Sequence, residues 1–228
     1  HHNPIRPFVP CSILSTANWS ERQELVKRDS MGPLALEDLI VAFAKLPGIG
    51  RVTAQRLALY VLKRPREEAE LLAGALTAAK EQIGSCSTCH NFMQKGEELC
   101  EVCQDTRRDP QFLCVVAESS DVLALEVSQV HSGVYHVLGG VLSPQDGILP
   151  EDLRIAALVE RVREREVREV VLALNSSAEG DATAHYISQQ LMPLTKVSGL
   201  ARGLPVGADL DLADRVTLSH AFAGRSFL

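Results

Sequence analysis

Four cysteines lie within 18 residues of the chain, in two pairs that each have the spacing C-x2-C. The pairs are Cys86 with Cys89 and Cys100 with Cys103. A C-x2-C turn presents two thiolates from one tight loop, and two such turns can complete a tetrahedron around Zn²⁺. Because four cysteines leave no coordination position for water, the pattern predicts one structural zinc ion per chain. Four structural or redox thiols without metal are the alternative, and His90 is a competing ligand.

A glycine-rich turn, LPGIG, separates two stretches with helical periodicity. Its two glycines would let the backbone approach a phosphate closely, and the first N–H groups of the second helix would face the anion. No acidic residue occurs from Leu39 to Arg66, although the chain has a net charge of −6. The pattern predicts contacts with a nucleic-acid backbone, and the alternative is an ordinary helical turn with a solvated basic face. The predicted contacts are Lys45, Gly48, Gly50, Arg51, Arg56, Lys63 and Arg64.

Polar residues follow two predicted strands, at the edge where parallel α/β sheets place their ligands. Glu118 ends one of these strands and Asn175 ends the other. Two-metal phosphoryl-transfer enzymes need two further carboxylates opposite the glutamate, and this chain has Asn175 and Ser177 in the matching positions. We therefore expect no catalysis at this edge. Glu118, Glu179 and Asp181 would form an acidic docking surface or, at most, a weak Mg²⁺ site.

The elements that position these groups change in type along the chain. Before the cysteines, apolar residues recur at helical spacing, as at Leu36, Leu39, Ile40 and Phe43. After the cysteines, short apolar strands alternate with helices, which predicts a parallel sheet covered on both faces. The predicted helices are 35–46, 51–63, 66–83, 121–130, 151–166 and 180–191, and the predicted strands are 112–117, 134–138, 168–174 and 195–201.

The helical periodicity also predicts which residues face a core. The fourth helix is expected to be capped by Ser120 or Asp121. In helix 151–166 the arginines and glutamates are expected to face solvent. The predicted apolar faces are Ala54, Leu57, Val61 and Leu62 in the second helix, Leu72, Ala75, Leu76, Ala79 and Ile83 in the third, and Leu153, Ala157 and Val162 in helix 151–166.

The composition is that of a globular protein, with 46% hydrophobic and 23% charged residues among 228. No apolar run approaches the roughly 18 residues that cross a bilayer, so no membrane partner is expected. Residues 1–30 lack a sustained period, and we interpret them as a tail or upstream extension, with Met31 as a candidate start. A short docking segment is the alternative. Without an export signal, the cysteine cluster favours a metal site over disulfides.

The order of these features resembles the RecR family of bacterial recombination mediators, over residues 34–228. The family usually has Pro-Lys after GIG, whereas this chain has Arg51 and Val52 there; Arg56 matches the family arginine. The stretches that carry the resemblance are LPGIG with AQRLALYVL, the two C-x2-C pairs, CVVAESSDVLALE, YHVLGGVLSPQDGI, AEGDATAHYI and GLPVGADLDLADRVTLSHAF.

The resemblance implies an α/β multi-module fold with a Toprim-like parallel-sheet domain. The implied parts are a tail at 1–30, a helix-hairpin-helix domain at 31–84, a four-cysteine zinc module at 85–108, the Toprim domain at 109–203 and a C-terminal oligomerisation segment at 204–228. The N-terminal helices and the C-terminal segment are expected to make subunit contacts in a ring-shaped tetramer that surrounds duplex DNA.

The resemblance also implies a function in the bacterial cytoplasm, at the nucleoid. The expected protein is not an enzyme: it acts with RecO and RecF to help RecA replace single-strand-binding protein on gapped DNA. The Toprim acids Glu118, Asp121 and Glu126 are expected to bind RecO. The rival functions are a Toprim-type Mg²⁺-dependent nuclease or primase-like phosphoryl transferase, and a scaffold whose hairpin packs against protein.

Overall fold

The structure, a computed structural model, describes residues 33–204 and 207–225 of the chain. The predicted tail at 1–30 and the candidate start Met31 lie outside the described residues. The chain divides into two compact units, with the boundary between Ala79 and Lys80. The five-part division predicted from the sequence is finer than this and stays a prediction.

The first unit is helical and has a small core. Ile40 of the first helix packs with Ala54 and Ala58 of the second, and Leu36, Leu39, Phe43 and Ile49 lie around them. Small alanine side chains allow the two helices to approach closely at this contact. The helices are α1 (Leu34–Ala44), α2 (Arg51–Leu62) and α3 (Arg66–Gln82).

Part of the predicted apolar faces of these helices is exposed. Leu62 at the end of α2 is 60% exposed. No residue of α3 is buried, and Leu72 and Leu76 are 46% and 64% exposed. Helical periodicity shows that a face is apolar, but it does not show what covers that face.

Residues 83–104 form a small module around the cysteines. Strand β1 (Ile83–Ser85) pairs antiparallel with β2 (Phe92–Gln94), and the short helix α4 (Glu101–Gln104) begins directly after Cys100. The buried cluster consists of Cys86, Cys89 and Cys100, with Met93, Leu99, Val102 and Cys103 packed against it. The module therefore has hardly any apolar core apart from its cysteines.

A four-stranded parallel sheet forms the centre of the second unit. Its elements are β3 (Asp109–Val116), α5 (Ser119–Ser128), β4 (Gly133–Val137), α6 (Ile155–Glu164), β5 (Glu169–Ala173), α7 (Ala178–Leu191) and β6 (Lys196–Gly199). The strand order is β4-β3-β5-β6. Leu113 of β3 packs with Leu158 of α6 on one face, and its neighbour Cys114 packs with Val122 of α5 on the other. The predicted parallel sheet with two covered faces is confirmed.

Three details of the second unit correct the sequence-based prediction. Helix α5 has Glu118, rather than Ser120 or Asp121, as its N-cap residue. The predicted helix 151–166 is divided into a 3₁₀ turn at Pro150–Asp152 and the shorter α6. Arg161 of α6, expected in solvent, is only 8% exposed. It lies on the flank of the apolar face, from which a long side chain can reach inward, and periodicity does not distinguish that case from an exposed arginine.

The C-terminal segment contains a 3₁₀ turn at Leu210–Leu212 and helix α8 (Arg215–Ala223). The Asp214 carboxylate caps α8 by accepting hydrogen bonds from the first free N–H groups of the helix. Leu212 and Phe222 are 80% and 70% exposed. Of the helices that the structure describes, none combines the length and the apolar character that a membrane span requires.

Candidate metal centre and nucleic-acid interface

The four cysteines predicted as metal ligands come together in space. Their Sγ atoms all lie within 4.8 Å of one another, and the Sγ atoms of Cys89 and Cys100 are 3.4 Å apart. Tetrahedral zinc–thiolate sites, with Zn–S bonds of about 2.3 Å, hold their sulfurs about 3.8 Å apart. Cys86, Cys89 and Cys100 are buried, and Cys103 is half-buried. The cluster could therefore hold one divalent cation, in a site suited to structural zinc.

Backbone hydrogen bonds shape the first cysteine pair. The His90 N–H donates to the Cys86 carbonyl at 3.0 Å, and His90 itself has a positive φ of 64°. The Cys100 N–H donates to the Cys86 Sγ at 3.4 Å, a contact that stabilises a thiolate. The His90 ring packs edge-on against His136, with 5.2 Å between ring centroids. His90 is not part of the group of candidate ligand atoms, so the structure favours a site of four cysteines.

The close approach of the sulfurs perturbs their protonation. Hydrogen bonds from Cys103 and Cys89 lower the pKa of Cys100 to about 2. The hydrogen bond between the Cys89 and Cys100 sulfurs, in which either sulfur can be the donor, raises the pKa of Cys89. A divalent cation at the centre would take the place of these shared protons, because metal-bound thiols are deprotonated.

Cys114 is a core residue, as the sequence predicted. It lies in β3, is 3% exposed and packs with Val116 and Val122. Burial raises the pKa of the Cys114 thiol to about 12, which makes it a poor nucleophile. Cys114 therefore offers a matched control for experiments on the four clustered cysteines.

The predicted phosphate-binding turn has the required backbone geometry. Gly48 has a φ of +76°, a conformation that side chains rarely adopt, and Gly50 is the N-cap residue of α2. Among the described residues, no atom outside the turn would lie within 4 Å of a Cβ at Gly48 or Gly50. The N-terminal N–H groups of α2 are thus approachable by an anion within this unit.

The basic residues around this turn divide into two groups. Lys45 and Arg51 lie at the turn itself, and Arg51 donates to the Glu37 carboxylate of α1 at 2.9 Å. Arg56 and Lys63 are seven residues apart, so they share a face of α2, whereas Arg56 is about 140° around the helix from Arg51. Arg64 packs over the Tyr60 ring, 4.8 Å from its centroid, and donates to the Tyr60 hydroxyl at 2.8 Å. A ligand that contacts all of these residues must follow α2 for most of its length.

The two strands that carry the acidic tip are neighbours in the sheet, and one of the three acids at this tip, Asp181, is paired with an arginine. Val116 of β3 pairs with Ala173 of β5, so Glu118 and Asn175 emerge at the same edge of the sheet. Ser177 is the N-cap residue of α7 and accepts a hydrogen bond from the Gly180 N–H at 3.0 Å. Asp181 accepts a hydrogen bond from Arg202 at 2.9 Å, which lowers the pKa of Asp181. Across residues 33–204 and 207–225, the four cysteines are the only group of three or more candidate metal ligands.

The other predicted partner-binding acids hold the structure together. Asp121 accepts the Glu118 N–H at 2.8 Å and so stabilises the start of α5. Glu126 is half-buried, forms an ion pair with Arg108 and accepts the Tyr135 hydroxyl at 2.7 Å. Both oxygens of the Glu126 carboxylate are therefore used within the chain, and its predicted contact with RecO stays a prediction.

Replacing Glu126 by alanine is expected to destabilise the second unit by about 2–3 kcal/mol, because Arg108 and Tyr135 lose their shared acceptor. The Arg108 side chain is only 16% exposed, so water replaces the lost carboxylate poorly. Urea denaturation measures the change. Glu166→Ala is the control, since Glu166 is exposed and has no ion pair within the described residues. Equal stability of the two variants would contradict the structural role of Glu126.

Glycine is required at position 180 by a close backbone contact. A Cβ at Gly180 would lie 2.0 Å from the Asn175 carbonyl oxygen, so the backbone at the strand tip would have to move. Gly180→Ala is expected to lower the free energy of unfolding by about 1–3 kcal/mol, measured by thermal denaturation. Gly199→Ala, at the end of β6 with open space at the Cβ position, is expected to cost much less. A similar loss of stability in both variants would show that the close contact with the Asn175 carbonyl is not what requires glycine at position 180.

Sequence reasoning missed two charged residues near these sites. Arg202 neutralises Asp181, and Arg161 lies buried with its guanidinium 2.6 Å from the Tyr135 carbonyl oxygen. Neither residue belongs to a motif. Their partners are 21 and 26 residues away in the chain, so no local pattern could have indicated either contact.

Comparison with known proteins shows the family and the domains of the chain. Residues 36–80 match the family model described as RecR, helix-hairpin-helix, residues 111–201 match the Toprim domain, and residues 203–226 match RecR, C-terminal. The recombination protein RecR of Gloeothece citriformis is 52% identical over 83% of this chain and 94% of its own length. The RecR proteins of Rippkaea orientalis and Trichormus variabilis are 51% and 52% identical, over 83% and 79% of this chain and 95% and 97% of theirs. The chain belongs to the RecR family of recombination proteins, with a role in recombinational DNA repair.

Proposed function

We propose that the chain is a DNA-binding recombination mediator that acts with RecO and RecF, in the bacterial cytoplasm at the nucleoid, to promote loading of RecA. Its substrate is gapped DNA, or DNA coated with single-strand-binding protein. The observation that carries the proposal is the open glycine turn with acid-free basic flanks, in a chain that belongs to the RecR family.

The DNA contacts are made by the turn and by α2. Backbone N–H groups beyond Gly50 bind one phosphate, and Lys45 and Arg51 add charge beside it. Arg56 lies within α2, and Lys63 and Arg64 directly follow its last residue. The basic side chains from Arg51 to Arg64 therefore extend over about 20 Å at a rise of 1.5 Å per residue. None of these groups reads a base edge by its position alone, so binding to duplex and gapped DNA is independent of sequence.

A ring-shaped tetramer would increase the affinity of these contacts. Several weak basic patches that act on one duplex bind far more tightly than one patch alone. Exposed apolar side chains on α3 and α8, such as Leu76 (64% exposed) and Phe222 (70% exposed), support subunit contacts through both segments. The mass in solution, measured with and without DNA, tests the ring, and a monomer under all conditions contradicts it.

The cysteine cluster holds one structural zinc ion per chain, and any Mg²⁺ at the strand tip binds weakly. The four-sulfur donor set and its burial support zinc over cations that prefer oxygen ligands. Metal analysis of freshly purified protein is expected to find one zinc per chain. A content well below one rules out the proposed occupant.

The strand tip docks the partner protein RecO through Glu118. Glu118 is exposed, and within the described residues it belongs to no group of three or more candidate metal ligands. Glu118→Gln is expected to weaken RecO binding, whereas Asp121 and Glu126 act there partly by stabilising α5. Glu179→Gln, which changes an exposed acid in the first turn of α7, serves as the comparison in the binding titration.

Reconstitution tests the mediator function directly. RecA filament formation on gapped DNA coated with single-strand-binding protein is expected to accelerate when the chain and RecO are added together. A variant that lacks DNA binding should lose the stimulation, and omission of RecO should do the same. No acceleration with DNA-binding protein and RecO present would contradict the proposal.

A Toprim-type phosphoryl transferase is the second candidate, favoured by the match of residues 111–201 to the Toprim domain. Such an enzyme would nick plasmid DNA with Mg²⁺. Activity of the pure protein that Glu118→Gln abolishes would replace the mediator proposal with this one. Asn175 and Ser177 stand where the additional carboxylates would be needed, which is why the mediator is preferred.

A further inference from the structure

Arg161 is a buried cation at the base of the cysteine module. Arg161 is 8% exposed, and its Nη1 donates to the Tyr135 carbonyl oxygen at 2.6 Å. The same nitrogen lies 3.4 Å from the carbonyl oxygen of Thr88, which is inside the first C-x2-C turn. The neighbouring Val137 N–H donates to the Cys89 carbonyl at 2.8 Å, so strand β4 and this turn are held together beside the guanidinium.

The charge of Arg161 has no carboxylate partner in the part of the chain that the structure describes. Within the described residues, no carboxylate oxygen lies within the 4.0 Å of an ion pair from its guanidinium, although other arginines of the same unit, such as Arg108 and Arg168, have such partners. A buried charge without a counter-charge is costly, and buried arginines are normally paired. The two carbonyl contacts satisfy hydrogen bonds but supply no negative charge.

The cysteine cluster is the nearby source of negative charge. Four thiolates around a divalent cation carry a net charge of about 2−, and this cluster is largely buried. Burial lowers the pKa of Arg161, and attraction to Cys103, Cys89 and Cys86 acts in the opposite direction. The buried guanidinium thus reaches the backbone of the first C-x2-C turn at Thr88, which places a desolvated cation beside the module that carries the thiolates.

We infer that Arg161 is the outer-sphere counter-charge of the four-thiolate metal centre, a positioning residue that slows metal loss and makes the thiolates less reactive. The inference rests on the proposed structural zinc. The cation offsets the excess negative charge of the bound site and withdraws electron density from the sulfurs. It also couples the metal to the sheet, because loss of the metal leaves Arg161 buried without an anion.

The test compares the release of zinc from three variants with that from the wild-type protein. Arg161→Gln keeps hydrogen-bond donors but loses the charge, Arg161→Met keeps volume only, and Arg161→Lys keeps the charge. The rate of zinc transfer to a chromogenic chelator is measured, with and without hydrogen peroxide. The neutral variants are expected to release zinc about 10–100-fold faster, as is usual when outer-sphere partners of metal ligands are removed. Arg161→Lys should remain close to wild type.

Arg163→Gln, an exposed arginine of the same helix, is the control and should release zinc at the wild-type rate. A charge effect has a second signature. In a Cys103→His background, where the site carries one negative charge fewer, the effect of Arg161→Gln should shrink, whereas a purely structural role would be unaffected.

Wild-type release rates in Arg161→Gln and Arg161→Met would overturn the inference. Equal acceleration in the lysine and neutral variants would also overturn it, because the guanidinium hydrogen bonds would then be responsible. If the neutral variants fail to fold with zinc but the lysine variant folds, the charge assignment stands; failure of all three overturns it. Wild-type protein without zinc would instead contradict the proposed metal, and the inference with it.

Discussion

Removal of the metal is expected to unfold residues 83–104 while the parallel sheet stays folded. The module has three paired residues in each of its two strands and a four-residue helix. Its buried cluster consists of cysteines, with only Met93, Leu99 and Val102 as apolar neighbours. Structural zinc contributes apparent free energies of about 10–16 kcal/mol in small zinc modules, which nothing else in this segment could replace.

Hydrogen exchange measures this prediction site by site. After treatment with a strong zinc chelator under reducing conditions, amides of β1, β2 and α4 should lose their protection. Amides of β3 and β5 should keep most of theirs, because the two cores of the sheet are built mainly from Val, Leu and Ile of the strands and their helices. Some loosening is expected at β4, where Val137 donates to the Cys89 carbonyl.

The variant Cys100→Ser should reproduce the effect of the chelator, since three thiolates hold zinc less tightly than four. Cys114→Ala is the matched control: it removes a buried thiol from β3 and should leave the module protected and the zinc content unchanged. A module that keeps full protection without metal would show that its hydrogen bonds and packing suffice, and the metal would then not be structural.

The double substitution Arg51→Ala/Arg56→Ala is expected to weaken DNA binding by about tenfold or more at physiological salt. Each phosphate contact on duplex DNA contributes about 0.9 to the slope of log K against log salt concentration, so loss of two contacts should reduce the slope by about 2 per binding unit. The loss should be similar for DNA of any sequence, because these contacts do not reach base edges.

The ion pair between Arg51 and Glu37 provides a second test of the Arg51 contact with DNA. Arg51 is 67% exposed and its partner is on α1, so phosphate competes with Glu37 for the guanidinium. Glu37→Gln is therefore expected to strengthen DNA binding, in the opposite direction to the double alanine variant. Fluorescence anisotropy across a salt series measures both.

Arg163→Ala/Arg165→Ala is the matched control for net charge, because it removes two exposed arginines from the end of α6. If it weakened binding as much as the hairpin variant, general charge and not the hairpin would be responsible. Unchanged binding in Arg51→Ala/Arg56→Ala would remove the hairpin from the DNA interface and favour a scaffold whose hairpin packs against protein.

Local sequence patterns determined most of the element types and the candidate metal ligands. The C-x2-C pairs predicted the four-sulfur cluster because two ligands on one tight turn are already close before the chain folds. Short apolar runs predicted the strands, since both faces of the sheet are covered and residues such as Leu113 and Cys114 enter opposite cores. The glycines of LPGIG predicted the turn, because Gly48 adopts a positive φ that side chains resist.

Contacts between distant segments were decided by the tertiary structure alone. Leu62, Leu72 and Leu76 form apolar faces in the sequence, yet what covers such a face depends on other surfaces. Arg161 resembles any other solvated arginine of a charged helix, and only folding places it against Tyr135 and the cysteine turn. Asp181 likewise forms an ion pair with Arg202, which leaves its charge paired within the chain. The sequence by itself determined which side chains this RecR-family protein has for binding metal, DNA or a partner. The C-x2-C pairs and the glycine turn can be recognised because their residues are close together in the chain. The tertiary structure decided which charges remain free and which are neutralised, because pairing a charge requires a partner that the chain brings near only by folding.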